Sequence, residues 1–125
     1  MTDIAGFLSR YASEPFVWGK SDCALWIADW WQFNHGEDPA AHLRGTYTTE
    51  DEKAALVARE GGLLRLVSGL ARSVGAKRQR TPSTGSFAVI DPGICAIWTG
   101  DYWAARSPAG VAFTKEAKAW RIWSI

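Results

Sequence analysis

The hydrophobic period of this chain changes once, near residue 76, and that change fixes its fold class. Before it, apolar residues recur every three or four positions; after it, they fall in short runs separated by turn residues. Ile4, Phe7, Leu8 and Tyr11 predict a first helix from about Asp3 to Ser13, closed by Pro15. A second starts at Ser21, carries Leu25, Trp26, Ala28, Trp30 and Phe33, and ends at Gly36, a residue suited to a left-handed helix stop. It is apolar around most of its circumference, which predicts a central helix covered on several sides. Asp38 to Arg44 reads as a short turn or helix stopped by Gly45. Thr49-Glu-Asp-Glu52 has capping-box spacing and opens a third helix reaching about Arg59. Gly61-Gly62 breaks it, and a fourth helix spans Leu63 to Val74. Lys77 to Gly85 is a basic, turn-rich connector. Strands are then expected at Phe87–Ile90, Ile94–Trp98, Tyr102–Arg106, Val111–Phe113 and Trp120–Ile125, separated by Asp91-Pro-Gly93, Thr99-Gly-Asp101 and Ser107-Pro-Ala-Gly110. A meander of antiparallel strands behind a helical half implies one α+β domain over residues 1–125.

Charge narrows the partners. The formal net charge is +1, whereas a dedicated nucleic-acid binder shows a clear basic excess. Lys77-Arg-Gln-Arg80 lacks interleaved aromatics and reads as a solvated loop, so no nucleic acid is expected. The most apolar stretch, Ala24 to Ala28, is far too short to span a bilayer. The N-terminus has neither a basic n-region nor a long apolar run, so synthesis in the cytoplasm without a signal peptide is expected. Delivery from there by other machinery stays open. Two cysteines are too few for a disulfide framework.

Chemistry concentrates at Cys23. With Ser21 as N-cap and Asp22 at the first helical position, Cys23 falls in the first turn of the second helix. There a thiol meets unpaired backbone N–H groups and the positive end of the helix dipole, both of which favour the thiolate. A base is harder to find. His35 lies on the same helix, ~18 Å away at the helical rise, and nothing aims His42 at the cysteine. Cys23, Cys95, His35 and His42 lack zinc-ligand spacing, so neither a metal nor another cofactor is expected. Cys95, among apolar neighbours in a strand, reads as packing.

A cysteine opening a central helix, followed by an antiparallel sheet, resembles the NlpC-type branch of the papain-like fold, whose members are mostly cell-wall peptidases. The resemblance rests on the Trp18-Gly…Asp22-Cys23 segment and on Gly85 to Gly100. Phe16-Val-Trp-Gly-Lys-Ser-Asp-Cys23, Asp38-Pro, Leu43-Arg-Gly-Thr-Tyr47 and Ala119-Trp-Arg-Ile are similar to a small family of unknown function encoded in phage and prophage genomes, often near tail-tip genes. The NlpC pattern implies Cys23 as nucleophile and Asp22 as its neighbour on the oxyanion side. It also implies a histidine at the start of the second strand, where this chain has Ile94, and a third polar residue that would fall near Ala104 or Arg106. Shifting by one residue gives Gly93 or Cys95.

Without that histidine, ordinary papain-like turnover is not expected, since a positioned base contributes about 10²–10⁴ in rate. The resemblance then implies a degenerate scaffold: a phage-associated binding or structural module holding a tail protein, host protein, or cell-wall peptide or glycan, virion-bound or otherwise. The alternative is a cysteine hydrolase of cell-wall stem peptides that uses Cys23 with a non-standard base. Eight tryptophans bear on both. Trp26, Trp30 and Trp120 are expected in the core. Trp18 beside Cys23, with Trp98 or Trp103 across the sheet, is expected to line a binding groove. Oligomeric state leaves no trace in the sequence.

Overall fold

The computed structural model describes residues 3–125 as a helical half packed on one antiparallel sheet. Helix α1 (Ile4–Ser13) is capped by Asp3, whose carboxylate accepts the Gly6 N–H at 2.9 Å. Helix α2 (Cys23–His35) ends at Gly36, where φ of 80° lets the Gly36 N–H reach back to the Gln32 carbonyl. Helix α3 (Glu50–Arg59) opens on Thr49, whose hydroxyl accepts the Glu52 N–H. The Glu52 carboxylate answers at the Thr48 N–H. Helix α4 (Leu63–Ser73) follows. Between α2 and α3 the chain makes turns only; Asp38 to Arg44 is not a helix.

Six strands follow: β1 (Arg78–Gln79), β2 (Phe87–Ile90), β3 (Ile94–Trp98), β4 (Trp103–Ser107), β5 (Gly110–Thr114) and β6 (Ala119–Trp123). They lie in the order β1-β6-β2-β3-β4-β5, antiparallel throughout. Part of the basic connector is thus ordered after all, because Arg78 and Gln79 pair with Trp123 and Ile122 and extend the sheet edge.

Alternation along the strands gives the sheet two apolar faces. Phe87, Val89, Cys95, Ile97, Ala104 and Trp123 face the helices and share a core with Phe7, Tyr11, Trp26, Ile27, Trp30, Trp31 and Val67. Ala88, Ile90, Ala96, Trp103 and Ile122 form a separate cluster on the other face. A third cluster joins Leu25 and Ala28 of α2 to Leu43, Tyr47, Leu56 and Leu66. Helix α2 is therefore covered on both flanks, as its all-round apolar sequence predicts. The Trp30 indole N–H donates to the Gly85 carbonyl at 2.8 Å, pinning this helix to the start of β2.

Of the three tryptophans expected in the core, Trp120 is not there: it is 41% exposed, whereas Trp31 is buried, wedged against Phe87 and stacked on His35. Trp120 sits at an outward position of β6, where sheet pairing leaves its ring against Gly93 rather than in the core. No helix among the described residues is long and apolar enough to cross a membrane.

Candidate active site

The loop before α2 is built around one buried carboxylate. Asp22, with no exposed surface, is the N-cap in place of Ser21: its oxygens accept the N–H groups of Ala24 and Leu25, and also the Gly19 N–H at 2.8 Å. Ser21 closes the preceding turn instead, accepting the Val17 N–H and donating to the Pro15 carbonyl. This displacement makes Cys23 the first helical residue.

Gly19 is required here. Its φ is +82°, and a Cβ would lie 1.9 Å from the Tyr47 carbonyl oxygen. Its own carbonyl accepts the Gly45 N–H, while the Tyr47 hydroxyl donates to Asp22 at 2.7 Å. Arg44 grips Asp38 and Asp29, each at 2.6 Å. The scattered sequence segments around Gly19, Asp38 and Gly45 thus form one clamp holding the start of α2.

Above this clamp stands a residue that sequence reasoning missed. Lys53 of α3 is only 7% exposed, and its ammonium lies 3.1 Å from Cys23 Sγ and 3.2 Å from Asp22 Oδ1. Trp18 lies over it, with the ammonium 5.3 Å from the ring centroid. Cys95, on the helix-facing side of β3, completes the group: it is fully buried, and its thiol is the largest influence lowering the pKa of Cys23. Cys95 is therefore more than packing. Both thiols are free.

The charges reinforce one another. The Cys95 thiol lowers the Cys23 pKa most; burial opposes it, and the Lys53 charge and hydrogen bond lower it further, leaving it at about 6. Cys95 is pushed far up in turn, chiefly because its proton serves the Cys23 thiolate. Burial alone would lower Lys53, but the negative charges of Cys23 and Asp22 outweigh it and the net shift is upward. Cys23 and Lys53 therefore form a thiolate–ammonium pair at neutral pH.

The pair opens onto a surface cleft of about 230 Å³, lined by Trp18, Cys23, Glu50, Lys53, Val57 and Gly93 among others. Of the expected groove residues, Trp18 is present. Trp98 and Trp103 are not: they meet edge to face, 5.0 Å apart, on the far side of the sheet. Position 95 points to the helices, so by alternation positions 96 and 98 point away. Asp22 does not face the cleft either. It consumes two first-turn N–H groups, and the Trp26 N–H goes to its carbonyl. The Cys23 N–H, by contrast, makes no hydrogen bond among the described residues.

Neither histidine approaches. His35 stacks on Trp31 at the far end of α2, and His42 lies beside Leu66 and Leu70 of α4. Arg106, one candidate for the third polar position, is 4% exposed and donates to the carbonyls of Tyr11, Glu14 and Ser21. It supports the loop from behind and stands outside the cleft.

A family model described as a domain of unknown function (DUF6950) matches residues 1–125. No curated protein and no solved structure matches the chain.

Proposed function

We propose that this chain, which belongs to the DUF6950 family over residues 1–125, is a cysteine-dependent acyl-transfer domain on an NlpC-like variant of the papain-like frame. The observation that carries this reading is the Lys53 ammonium 3.1 Å from Cys23 Sγ at the wall of an open cleft. In a cysteine–histidine site the resting nucleophile is a thiolate beside an imidazolium. Here an ammonium supplies that charge. The missing histidine therefore removes a residue type without removing the function of charge compensation.

The pair can also carry a proton through a cycle. Attack of the Cys23 thiolate on an acyl carbon forms the S–C bond and places charge on the acyl oxygen, which the free Cys23 N–H is positioned to receive. As the tetrahedral species collapses, Lys53 gives its proton to the departing amine. The resulting thioester carries no charge, so Lys53 loses the Cys23 charge that raises its pKa, keeps only the Asp22 carboxylate, and its neutral amine is less readily reprotonated. That amine takes a proton from water or an acceptor amine, which displaces the thiol and restores the thiolate–ammonium pair.

The cleft favours a peptide-like substrate: Trp18 and Val57 offer apolar wall, and Glu50 offers a carboxylate for a cationic group. Cell-wall stem peptides, and a place among phage tail components, follow from the resemblance at Trp18-Gly…Asp22-Cys23 and remain part of the proposal. The test is release of product from peptidoglycan stem peptides and from an activated acyl ester. Turnover abolished by Cys23→Ala and lowered about 10²-fold by Lys53→Met supports the reading. Equal rates for wild type and Cys23→Ala on both substrates sink it.

A second reading, a non-enzymatic binding or structural module, is favoured by one observation. Lys53 also pairs with buried Asp22 at 3.2 Å, so a cation at this position serves folding without any chemistry. Under it the same cleft holds a cell-wall fragment or tail protein, and acyl probes leave Cys23 unmodified.

A further inference from the structure

A cysteine that stands alone as a nucleophile has no need of a second thiol behind it. Cys95 faces the helices from β3, a strand packed on α2, and shares one core cluster with Ala24, the residue after Cys23. Gly93, two residues earlier on the same turn and strand, shares the cleft wall with Cys23. The two sulfurs therefore differ in one respect that matters for oxidation: Cys23 is reachable from solvent, while Cys95 has no exposed surface. Both are reduced, and Lys53 is within 3.1 Å of the accessible one.

We propose that Cys23 and Cys95 form a reversible oxidation site, in which a hydroperoxide entering the cleft oxidises Cys23 and Cys95 resolves the product as an intramolecular disulfide. The inference rests on the reading of Cys23 as a cleft-facing thiolate. In the first step the Cys23 sulfur attacks the distal peroxide oxygen; an S–O bond forms and the O–O bond breaks. Sulfur is oxidised by two electrons, the peroxide is reduced, and the departing alkoxide or hydroxide takes a proton from the Lys53 ammonium. In the second step the Cys95 sulfur attacks the Cys23 sulfenic sulfur. The S–S bond forms, the S–O bond breaks, and the leaving hydroxide combines with the Cys95 proton as water.

The order of events is built into the electrostatics. While Cys23 is a thiolate, it holds the Cys95 proton in place and Cys95 is inert. Oxidation of Cys23 to the neutral sulfenic acid removes that negative charge, so the brake on Cys95 lifts only after its partner has reacted. The disulfide deletes the nucleophile from the cleft, and exchange with a small dithiol restores it. Reversal matters, because further oxygen on Cys23 would inactivate the site for good.

The experiment treats the reduced full-length chain with a small excess of hydrogen peroxide, quenches with iodoacetamide, and maps peptides by mass. A matched sample without peroxide measures how fast native Cys23 alkylates. The expected result is rapid alkylation of Cys23 without peroxide; with it, loss of two hydrogens, a linked Cys23–Cys95 peptide pair in most of the protein, and full recovery by dithiothreitol. In Cys95→Ser the pair is absent and dimedone traps Cys23 as its sulfenic acid. Fast alkylation combined with sulfenic or sulfinic Cys23 and an unlinked Cys95 in wild type overturns this inference alone. A Cys23 that is neither alkylated nor oxidised in the native protein overturns the inference and the thiolate reading together. The wild-type arm decides the matter even if the buried Cys95→Ser substitution prevents folding.

Discussion

A sulfur that shares a buried ammonium with a carboxylate titrates against two neighbours at once. The Cys95 thiol and the Lys53 charge both stabilise the Cys23 anion, whereas burial and Asp22 oppose it. Its pKa is depressed, so the reactive form is present above the folded value and lost as pH falls through it. Native Cys23 should therefore alkylate with a midpoint near pH 6, and its rate should be flat between that point and the free-thiol range of about 8.5. Cys95 should label only in denaturant. Lys53→Met should move the Cys23 midpoint upward, since one of the stabilising charges is gone. A midpoint in the free-thiol range for the wild-type protein would remove the thiolate–ammonium pair from consideration. At Gly19 the constraint is steric. Gly19→Ala should destabilise the fold by at least ~2 kcal/mol in urea titrations, because the positive φ and the Tyr47 carbonyl 1.9 Å from the new Cβ act together.

Two sets of partners meet Asp22 at the junction of elements: the first turn of α2, and the Lys53 and Tyr47 side chains brought in from outside that helix. Two substitutions separate these roles. Asp22→Asn keeps an oxygen for the N–H groups of Ala24 and Leu25 but leaves Lys53 without its buried carboxylate. Asp22→Ala loses the cap as well. Removing one partner of a buried pair costs about 3–5 kcal/mol, and a lost N-cap about 1 kcal/mol more. Urea midpoints should therefore fall in the order wild type, Asn, Ala; equal midpoints for wild type and Asn would show that the pair contributes nothing to folding. At this same scale the sequence was only partly legible. Periodicity and caps locate the four helices and five of the six strands, because these are local signals. The Lys53–Cys23 contact joins residues on different helices, and no local rule aims one at the other. A trace existed: Lys53 precedes Leu56 by three positions and so shares its buried face. Alternation along β3 could likewise have separated Cys95 from Trp98, had the direction of the sheet's helix-covered face been known.

For the whole molecule, the question is what couples the helical half to the sheet closely enough to hold a site between them. Hydrophobic contact alone is tolerant of small slips, whereas Arg106 is not. It leaves β4 and donates to three carbonyls at once: Tyr11 at 2.5 Å, Ser21 at 3.4 Å, and Glu14. Its guanidinium also lies 5.5 Å from the Tyr11 ring centroid and 5.7 Å from that of Phe16. One side chain from the sheet thus fixes the end of α1 and the turn that delivers Cys23. Arg106→Met keeps most of the volume but leaves those carbonyls buried without donors, at a cost of about 3–5 kcal/mol over the three. The loss should not be confined to stability. With the turn before α2 loosened, the Cys23–Cys95–Lys53 register should blur, so Cys95 should begin to alkylate under native conditions and the Cys23 midpoint should drift upward. Urea titration and peptide-resolved labelling of the same variant read the two effects separately. A variant that is destabilised, yet keeps the wild-type labelling pattern, would mean that Arg106 holds the halves together without setting the site. Loss of both together would mean that this nucleophile is positioned by the fold as a whole, with the sheet acting on the helix start through a single guanidinium.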